Sequence, residues 1–575
     1  MNSLVEATAP QKFSPSENLV HSSHRRFSSV AVLFLLMLVL AGAIVLRVYS
    51  LPSQGFMQWD EGLHALEGQF LADTWHRLAG QLLDPSQPPG GRPPTFVRPF
   101  HSILLSVGML LGGTSAFSAQ LVSASTGVLT VLLVFLLGRS LYTAGTGLLA
   151  AAFLATMPLH VSYSREALSE SNGIFLFTLS LLAYWQAVRS RHRLMLALAG
   201  TGLLLGLSVT TNLRIYIMPA VFVICELVLW LGERRQGRLD FMRRLLTIAY
   251  SALIPVALAF LFFWWLRGYY DASHLRLSFP VVTYEDQLSG FWNQQNSFKR
   301  PFLGGIDLLY YPFVLWSFGG PVLVACLVIS LPLLFKDRAH AFQNILLLSW
   351  LLVPFVFYSV LTDKAPRFIA ISLPSVVLIA AHGLTMTHDW LASRSGWLRT
   401  FRFFAALVAV AVVAWGGAAS FAVAQEISGY PAAVAYLQER GVDRAIVGQA
   451  LPVEFLSGQK IEAVDIPDNL AILEKGYEQG FRYIVIDDQA YLTPQHRIVA
   501  EAIERRIQPV ASFPDTLKQS PLFLLEHSEW MKVDLKTTMA LYQEIRSVRG
   551  PSQVRIYEIG DYLKAEGLPV SGGTR

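Results

Sequence analysis

The chain has 575 residues, 53% hydrophobic and only 15% charged, with a formal net charge of +5. A soluble globular protein carries about 25% charged residues, so this composition excludes an ordinary soluble enzyme and points to an integral membrane protein. Its basic residues fall in short clusters at the ends of apolar runs, a pattern that argues for membrane topology and membrane-lipid contact and against a nucleic-acid partner. Cys225 and Cys326 both lie inside apolar runs, so neither a disulfide framework nor a thiolate metal site is expected.

In chain order, residues 1–28 form a polar tail ending in His24-Arg25-Arg26. The apolar run that follows, Val30 to Val48, is too long for a signal-peptide core and has no small-residue cleavage site behind it, so it reads as a retained anchor. A bilayer core of roughly 30 Å needs about 20 apolar residues per helix. Eleven such runs occur, near residues 29–49, 118–138, 144–161, 170–189, 195–212, 215–232, 246–266, 309–335, 342–361, 367–387 and 401–423. From a cytoplasmic N-terminus the inner loops then hold Arg139; Arg189, Arg191 and Arg193; Arg234, Arg235, Arg238, Arg243 and Arg244; Lys336 and Arg338; and Arg394, Arg399 and Arg402. That distribution follows the positive-inside rule. Phe100 to Gly113 is apolar but short, and counting it as a span would invert every later loop, so it is assigned to the membrane surface. The outer segments are then 50–117, the turn Ser162 to Ser169, 267–305, the turn Thr362 to Pro366, and everything after about residue 424.

Past that point apolar runs shorten to strand length, at 445–448, 482–486, 522–525 and 554–557, with helical patterns at 432–440, 470–478 and 497–505 between them. Residues 424–575 are therefore expected to form a soluble α/β domain on the outer side. No Gly-rich phosphate loop follows its strands, so nucleotide binding has no support.

Carboxylates beside a hydrocarbon phase are costly and mark chemistry. The pair Asp60-Glu61 follows the first span directly. Asp60 also suits the N-cap of the helix expected from Glu61 to Arg77. On the same outer side, however, lie Arg98; Arg165, Glu166 and Glu170; and Lys364 and Arg367. A set of both signs on one face reads as a polar cavity. One carboxylate and several cations suit transfer of a sugar from a lipid-linked phosphate. The phosphate leaving group needs electrostatic stabilisation rather than a general acid, and the acceptor hydroxyl needs a carboxylate base within hydrogen-bond reach. Hydrolysis of an ordinary glycoside would need a second carboxyl to protonate the leaving oxygen.

In these residues the chain resembles the GT-C glycosyltransferases of the protein O-mannosyltransferase and aminoarabinose transferase group. Asp60-Glu61 matches the first acidic motif, and Arg98-Pro99 before a short apolar helix resembles the Lys-Pro element. The run Leu132 to Met157 is similar to the second and third spans, Ser164 to Glu170 looks like the second acidic motif, and Asp363-Lys364-Ala365-Pro366-Arg367-Phe368 followed by Pro374 resembles the late Lys-x-Pro-x-Tyr signature. The likeness covers roughly residues 30 to 390.

The resemblance implies a GT-C transmembrane catalytic domain over 29–423, followed by the 424–575 domain. It implies inverting transfer from a polyprenyl-phosphate sugar to a hydroxyl on a protein, lipid or glycan. Asp60 would be the base and Glu61 would orient the acceptor or hold the donor. Arg98, Lys364 and Arg367 would bind the donor phosphate, and Arg165 and Glu170 would line the same cavity. Arg98 stands where the aminoarabinose transferases carry Lys, which keeps the charge but replaces a point-like ammonium by a planar fork. Thr211-Asn212 replaces the usual Thr-Lys, with Arg214 nearby, and Glu170 replaces Asp. The outer loop 267–305 is too short for the β-trefoil of fungal and animal relatives, which favours a bacterial enzyme of the plasma (inner) membrane with its active site outside.

No cofactor is otherwise indicated. A divalent ion among Asp60, Glu61, Glu166 and Glu170 would be a hard-oxygen site, but the cations already present neutralise the phosphate. His64, one turn after Asp60, is expected to pack or cap locally. The rival reading is a transporter or flippase, which should show inverted repeats with interrupted helices meeting near mid-membrane. No such repeat is seen. A polysaccharide polymerase or ligase shares the lipid-phosphate chemistry but does not require an acidic pair directly after the first span.

Overall fold

The computed structural model describes residues 29–81, 87–95, 97–190, 194–232, 238–273, 308–361, 364–394, 402–516 and 551–568, together with Leu275, Leu277, Ala540 and Gln543. The tail 1–28, most of the loop 267–305, the strand expected at 522–525, and Arg191, Arg193, Arg234, Arg235, Asp363 and Arg399 lie outside the described residues.

The first part of the chain is helical: α1 (Ser29–Val48), α2 (Trp59–Leu78), α3 (Pro99–Gly112), α4 (Ala116–Leu141), α5 (Ala144–Ala155), α6 (Pro158–Arg165), α7 (Ser169–Ser190), α8 (Leu194–Thr211), α9 (Pro219–Gly232), α10 (Arg238–Ala272), α11 (Pro321–Lys336), α12 (Ala341–Val360), α13 (Leu373–Ala392) and α14 (Arg402–Ala424). Every one of the expected apolar runs carries helix. Among the described residues eight helical segments are long and apolar enough to cross a membrane, or nine if the bent pair α5 and α6 is one span.

Two runs expected to be continuous are broken, each at a proline. Between α5 and α6 the axis turns by 61°. Pro158 opens α6 and keeps the residue before it out of the helical region, and Met157 accordingly has φ −76° and ψ 116°. The run 309–335 divides at Gly319-Gly320-Pro321, where Gly320 has φ +104°. That left-handed backbone admits glycine and resists a side chain, so a short helix Tyr310–Val314 and a single wide turn precede α11. α7 fills the run 170–189 but opens on the polar stretch Ser169-Glu170-Ser171-Asn172, all four buried. The central element is α13, whose apolar window is 89% buried, against 11% for α1 and 17% for α14 at the periphery.

After α14 come α15 (Tyr430–Glu439), β1 (Arg444–Val447), α16 (Ala450–Leu456), β2 (Glu462–Asp465), α17 (Ala471–Glu478), β3 (Tyr483–Ile486), α18 (Pro494–Arg506), β4 (Ala511–Pro514), β5 (Gln553–Glu558) and α19 (Ile559–Ala565). The sheet order is β2-β1-β3-β5-β4, with β1 parallel to β2 and β3, and β5 antiparallel to β3 and β4. β1, β3 and β5 fall on the expected runs, whereas β2 and β4 do not. Both are edge strands: the Glu462-Ala463-Val464-Asp465 stretch is largely exposed, and β4 ends in Pro514, so neither makes an apolar run.

This sheet unit sits on the start of α2. α16 crosses Gly62 so closely that a Cβ there would lie 2.3 Å from Pro452 N and 2.5 Å from the Leu451 carbonyl carbon. Arg92 and Glu454 form an ion pair at 2.6 Å, and Gln489 Nε2 donates to the Met57 carbonyl at 3.3 Å. Glycine at 62 is therefore required by backbone approach, not by its dihedral angles. Gly62→Ala is expected to lift the sheet unit from α2, seen as faster proteolytic release of the C-terminal unit with unchanged helical circular dichroism. Unaltered protection would show that the contact does not hold the two together.

Candidate active site

The first turn of α2 is organised so that Asp60 does not cap it. Gln58 is the N-cap residue, and it forms a reciprocal capping box with Glu61. Asp60 is thereby left for a tertiary contact. Its Oδ2 accepts from Arg367 Nη1 at 2.7 Å, with side-chain exposures of 20% and 5%. Arg367 stands in the first turn of the 3-10 helix Pro366–Ser372, where Pro366 presets the entry angle.

Asp60, His64 and Glu67 recur at i, i+4 and i+7 and so share one face of α2. His64 Nε2 is hydrogen-bonded to Arg98 Nη1, and its Nδ1 lies 3.1 Å from the Ala167 carbonyl. A guanidinium only donates, so Nε2 is the acceptor and the ring is neutral with its proton on Nδ1. His101 is fixed by the same logic. Asn172 Nδ2 donates to its Nδ1 at 2.9 Å and its Nε2 donates to the same Ala167 carbonyl at 3.3 Å. Thr126 donates in turn to Asn172 Oδ1 at 2.6 Å. Glu67 accepts from Thr95 N at 2.9 Å and Ser102 Oγ at 2.7 Å.

Beyond Arg367 opens a cleft with polar lining from Glu170, Asn212, Arg214 and Arg367 and an apolar wall that includes Ile174, Ile215 and Phe368. Arg214 pairs with Glu170 at 3.0 Å and lies over the Phe368 ring at 4.8 Å, and Asn212 Nδ2 donates to Glu170 at 3.3 Å. Arg214, noted in the sequence only as a neighbour of the altered Thr-Lys position, thus belongs to the cleft. Lys364 is buried two residues before Pro366 and donates to the Leu361 carbonyl.

Two expected site residues have other work. Glu61 is fully buried, and both its oxygens are taken: Oε2 accepts from Met57 N (2.7 Å) and Gln58 N (3.1 Å), Oε1 from Ala167 N (2.8 Å) and Gln120 Nε2 (3.2 Å). It braces the loop that presents Asp60. Arg165, 1% exposed, donates to the carbonyls of Leu46, Arg47 and Tyr49 at the end of α1 and of Ala424 at the end of α14. It staples two helix ends and does not line the cleft. Glu166 accepts from Gln58 Nε2 at 2.6 Å and Ser162 Oγ at 2.7 Å. Asp60, Glu61, Glu166 and Glu170 are therefore each held by different donors rather than gathered at one ligand position.

The electrostatics separate the two adjacent acids. Burial works to raise the Asp60 carboxyl, but the Arg367 and Arg98 guanidiniums outweigh it and hold Asp60 well below the usual carboxylate range. Burial pushes Glu61 up to about 7 against the pull of its hydrogen bonds from Ala167, Met57, Gln120 and Gln58. Burial, then the charge of Arg98, takes His64 down to about 3, in keeping with its neutral ring. Burial also raises Glu67, partly offset by the Thr95 and Ser102 hydrogen bonds. Sequence reading gave no role to Glu67 or His101. The available signals were the i, i+4, i+7 polar stripe on α2 and one histidine in the otherwise apolar α3.

A family model described as dolichyl-phosphate-mannose-protein mannosyltransferase matches residues 92–264. The chain is 26% identical over 287 residues to the undecaprenyl phosphate-alpha-4-amino-4-deoxy-L-arabinose arabinosyl transferase of Pseudomonas aeruginosa, covering 49% of this chain and 48% of the relative. It is 28% identical over 327 residues to the protein of that name in Pseudomonas paraeruginosa, covering 54% of each. The chain thus matches about half the length of these curated relatives. Among solved structures, ArnT from Cupriavidus metallidurans bound to undecaprenyl phosphate superposes with a TM-score of 0.54 at 16% identity, covering 79% of this chain and 93% of that one. The apo oligosaccharyltransferase of Archaeoglobus fulgidus gives 0.57 at 15% identity, covering 81% and 71%. Likeness at that identity shows a shared fold.

If Glu61 is a brace, Glu61→Gln leaves two of four N–H donors without an acceptor, at about 1–3 kcal/mol each. A thermal melt at pH 8 should show marked destabilisation. Because its folded carboxyl holds a proton more tightly than the ordinary 4.5, wild-type stability should also fall as pH rises from about 4.5 to about 7, and this component should vanish in the variant. An unshifted melt would return Glu61 to the substrate side.

Proposed function

We propose that this chain, a multi-pass membrane protein of the GT-C group that includes the protein O-mannosyltransferases and the aminoarabinose transferases, transfers a sugar from a polyprenyl-phosphate donor to an acceptor hydroxyl. The observation that carries the reading is the double placement of Arg367, which holds Asp60 at 2.7 Å and also lines the cleft with Arg214. The donor phosphate enters the cleft and is met by the guanidiniums of Arg367 and Arg214, with Lys364 in the adjoining turn. Ile174, Ile215 and Phe368 offer an apolar wall to the first isoprenes. By likeness to the curated relatives the carrier is undecaprenyl phosphate.

Asp60 is ionised at neutral pH, as a base must be, but in the free protein it is a weak one because Arg367 holds it. A phosphate that draws on the same guanidinium loosens that hold, so donor binding strengthens the base when it is needed. The acceptor oxygen forms its bond to the anomeric carbon while its proton passes to Asp60. The carbon–phosphate oxygen bond breaks, and the electron pair leaves on the phosphate, stabilised by the two guanidiniums. Attack opposite the leaving group inverts the anomeric centre. Arg98, held through His64 one turn from Asp60, adds positive field without occupying the cleft wall.

The site faces the outer side of the bacterial plasma membrane in this reading. Its support is that α12 carries Arg338 and His340 before its start and the Lys364–Arg367 turn beyond its end, so the basic loop and the proposed site lie at opposite ends of one 20-residue helix.

Asp60→Asn should lower turnover of a labelled undecaprenyl-phosphate sugar by about 10²–10⁴-fold, the usual worth of a general base, and should also lower the melting temperature at pH 7, because Arg367 loses its charged partner. Near-normal turnover would remove Asp60 from the base role. Since the Asp60 carboxyl is depressed, its ion pair contributes stability above the ordinary carboxylate range and loses it only as pH falls through the lowered value.

A further inference from the structure

The end of the bundle remote from Asp60 carries a second polar cluster that sugar transfer does not use. Asp337 caps the C-terminal end of α11, His340 follows three residues later in the 3-10 turn Arg338–His340, and His382 projects from α13. The 20 residues of α12, about 30 Å of helical rise, separate His340 from the Lys364–Arg367 turn.

Asp337 Oδ2 lies 2.9 Å from both His340 Nδ1 and His382 Nε2, and one ligand atom from each of the three residues falls within 4.8 Å of the others. No other group of three such residues converges this way among the described residues. The cluster is also supported from outside. The Tyr142 ring, in the turn between α4 and α5, stacks on His382 at 3.6 Å and 13° and meets His340 edge-on at 5.3 Å. Its hydroxyl donates to Asn344 Oδ1 at 2.6 Å, and Asn344 Nδ2 donates to the backbone carbonyls of Leu334 and Asp337 at 3.1 and 3.3 Å. The ligand-bearing turn and the His382 ring are thus oriented by one chain of contacts, the arrangement that tunes metal ligands. Side-chain exposures of 38% for His340, 10% for Asp337 and 7% for His382 give a buried floor and one open side.

Two imidazole nitrogens and one carboxylate oxygen are a borderline donor set suited to Zn²⁺ or a similar first-row ion. Bonds of about 2.0–2.2 Å to such an ion set tetrahedral ligand atoms roughly 3.3 Å apart, so the two 2.9 Å contacts of Asp337 need only a small widening, and the two imidazole nitrogens already lie within 4.8 Å of each other. We propose that Asp337, His340 and His382 bind one Zn²⁺-class cation, which ties the α11–α12 turn to α13 at the end of the bundle opposite Asp60.

The test is titration of purified, chelator-stripped full-length protein with Co²⁺, read by its visible absorption, then displacement by Zn²⁺. One Co²⁺ per chain is expected, with affinity at least 10-fold weaker in Asp337→Asn and in His340→Ala and unchanged in Asp60→Asn. His340 is the most exposed of the three, so His340→Ala should melt like the metal-free wild type while losing the rise in melting temperature that Zn²⁺ gives the wild type. Absence of stoichiometric binding would mean that Asp337 merely bridges two histidines and would overturn the proposal. So would binding indifferent to both substitutions, or binding abolished by Asp60→Asn, which would put the ion at the cleft. None of these outcomes depends on sugar transfer.

Discussion

The contact between Asp60 and Arg367 joins residues 307 positions apart and determines what the rest of this end of the bundle must supply. A carboxylate and a guanidinium withdrawn from water persist only when they meet each other in good geometry, because an unpaired charge there costs several kcal/mol. Meeting requires that the first turn of α2 and the 3-10 turn after Pro366 be held in register. The capping box of Gln58 and Glu61 fixes the first. The second is held where Trp350 Nε1 donates to the Ile371 carbonyl at 2.8 Å and the Tyr358 ring packs against Phe368 at 5.1 Å.

Around that pair, buried polarity is spent on backbone. The Ala167 peptide is gripped from both sides, its N–H by Glu61 and its carbonyl by His64 and His101. Two buried arginines finish helices. Arg165 takes the terminal carbonyls of α1 and α14, and Arg47 donates to Leu154 and Ala155 at the end of α5 and to His160 Nδ1 at 2.7 Å. A helix C-terminus leaves its last carbonyls without partners and carries partial negative charge, so a cation placed there satisfies both needs. Charge near these helix ends therefore divides into a structural set, Arg47, Glu61 and Arg165, and a set that lines the cleft, Glu170, Arg214 and Arg367, with Asp60 paired to the last.

That division explains what could and could not be read from the sequence. Helix positions were legible because length and apolar content decide them, and the acidic and basic motifs named two residues, Asp60 and Arg367, that the fold brings together. The facing of individual side chains was not. Asp60 and Glu61 are neighbours, yet consecutive helical residues point about 100° apart, so one meets Arg367 while the other turns into the protein. Arg165 and Arg367 both stand beside the acidic and basic motifs. Which of them reaches the cleft depends on the 61° bend before α6 and on the 3-10 turn at Pro366, neither of which has a periodic signature. The edge strands β2 and β4 escaped for a related reason, since an edge needs no apolar alternation to be paired on one side.

Sharing of Arg367 between Asp60 and the donor is the most exposed point of the mechanism, and one comparison reaches it directly: the affinity of undecaprenyl phosphate for the wild-type protein and for Asp60→Asn. If carboxylate and phosphate compete for the guanidinium, the neutral side chain frees Arg367 and the lipid phosphate binds more tightly to the variant. Equal or weaker binding would mean that the phosphate does not draw on Arg367, and the coupling of donor binding to the base would be contradicted.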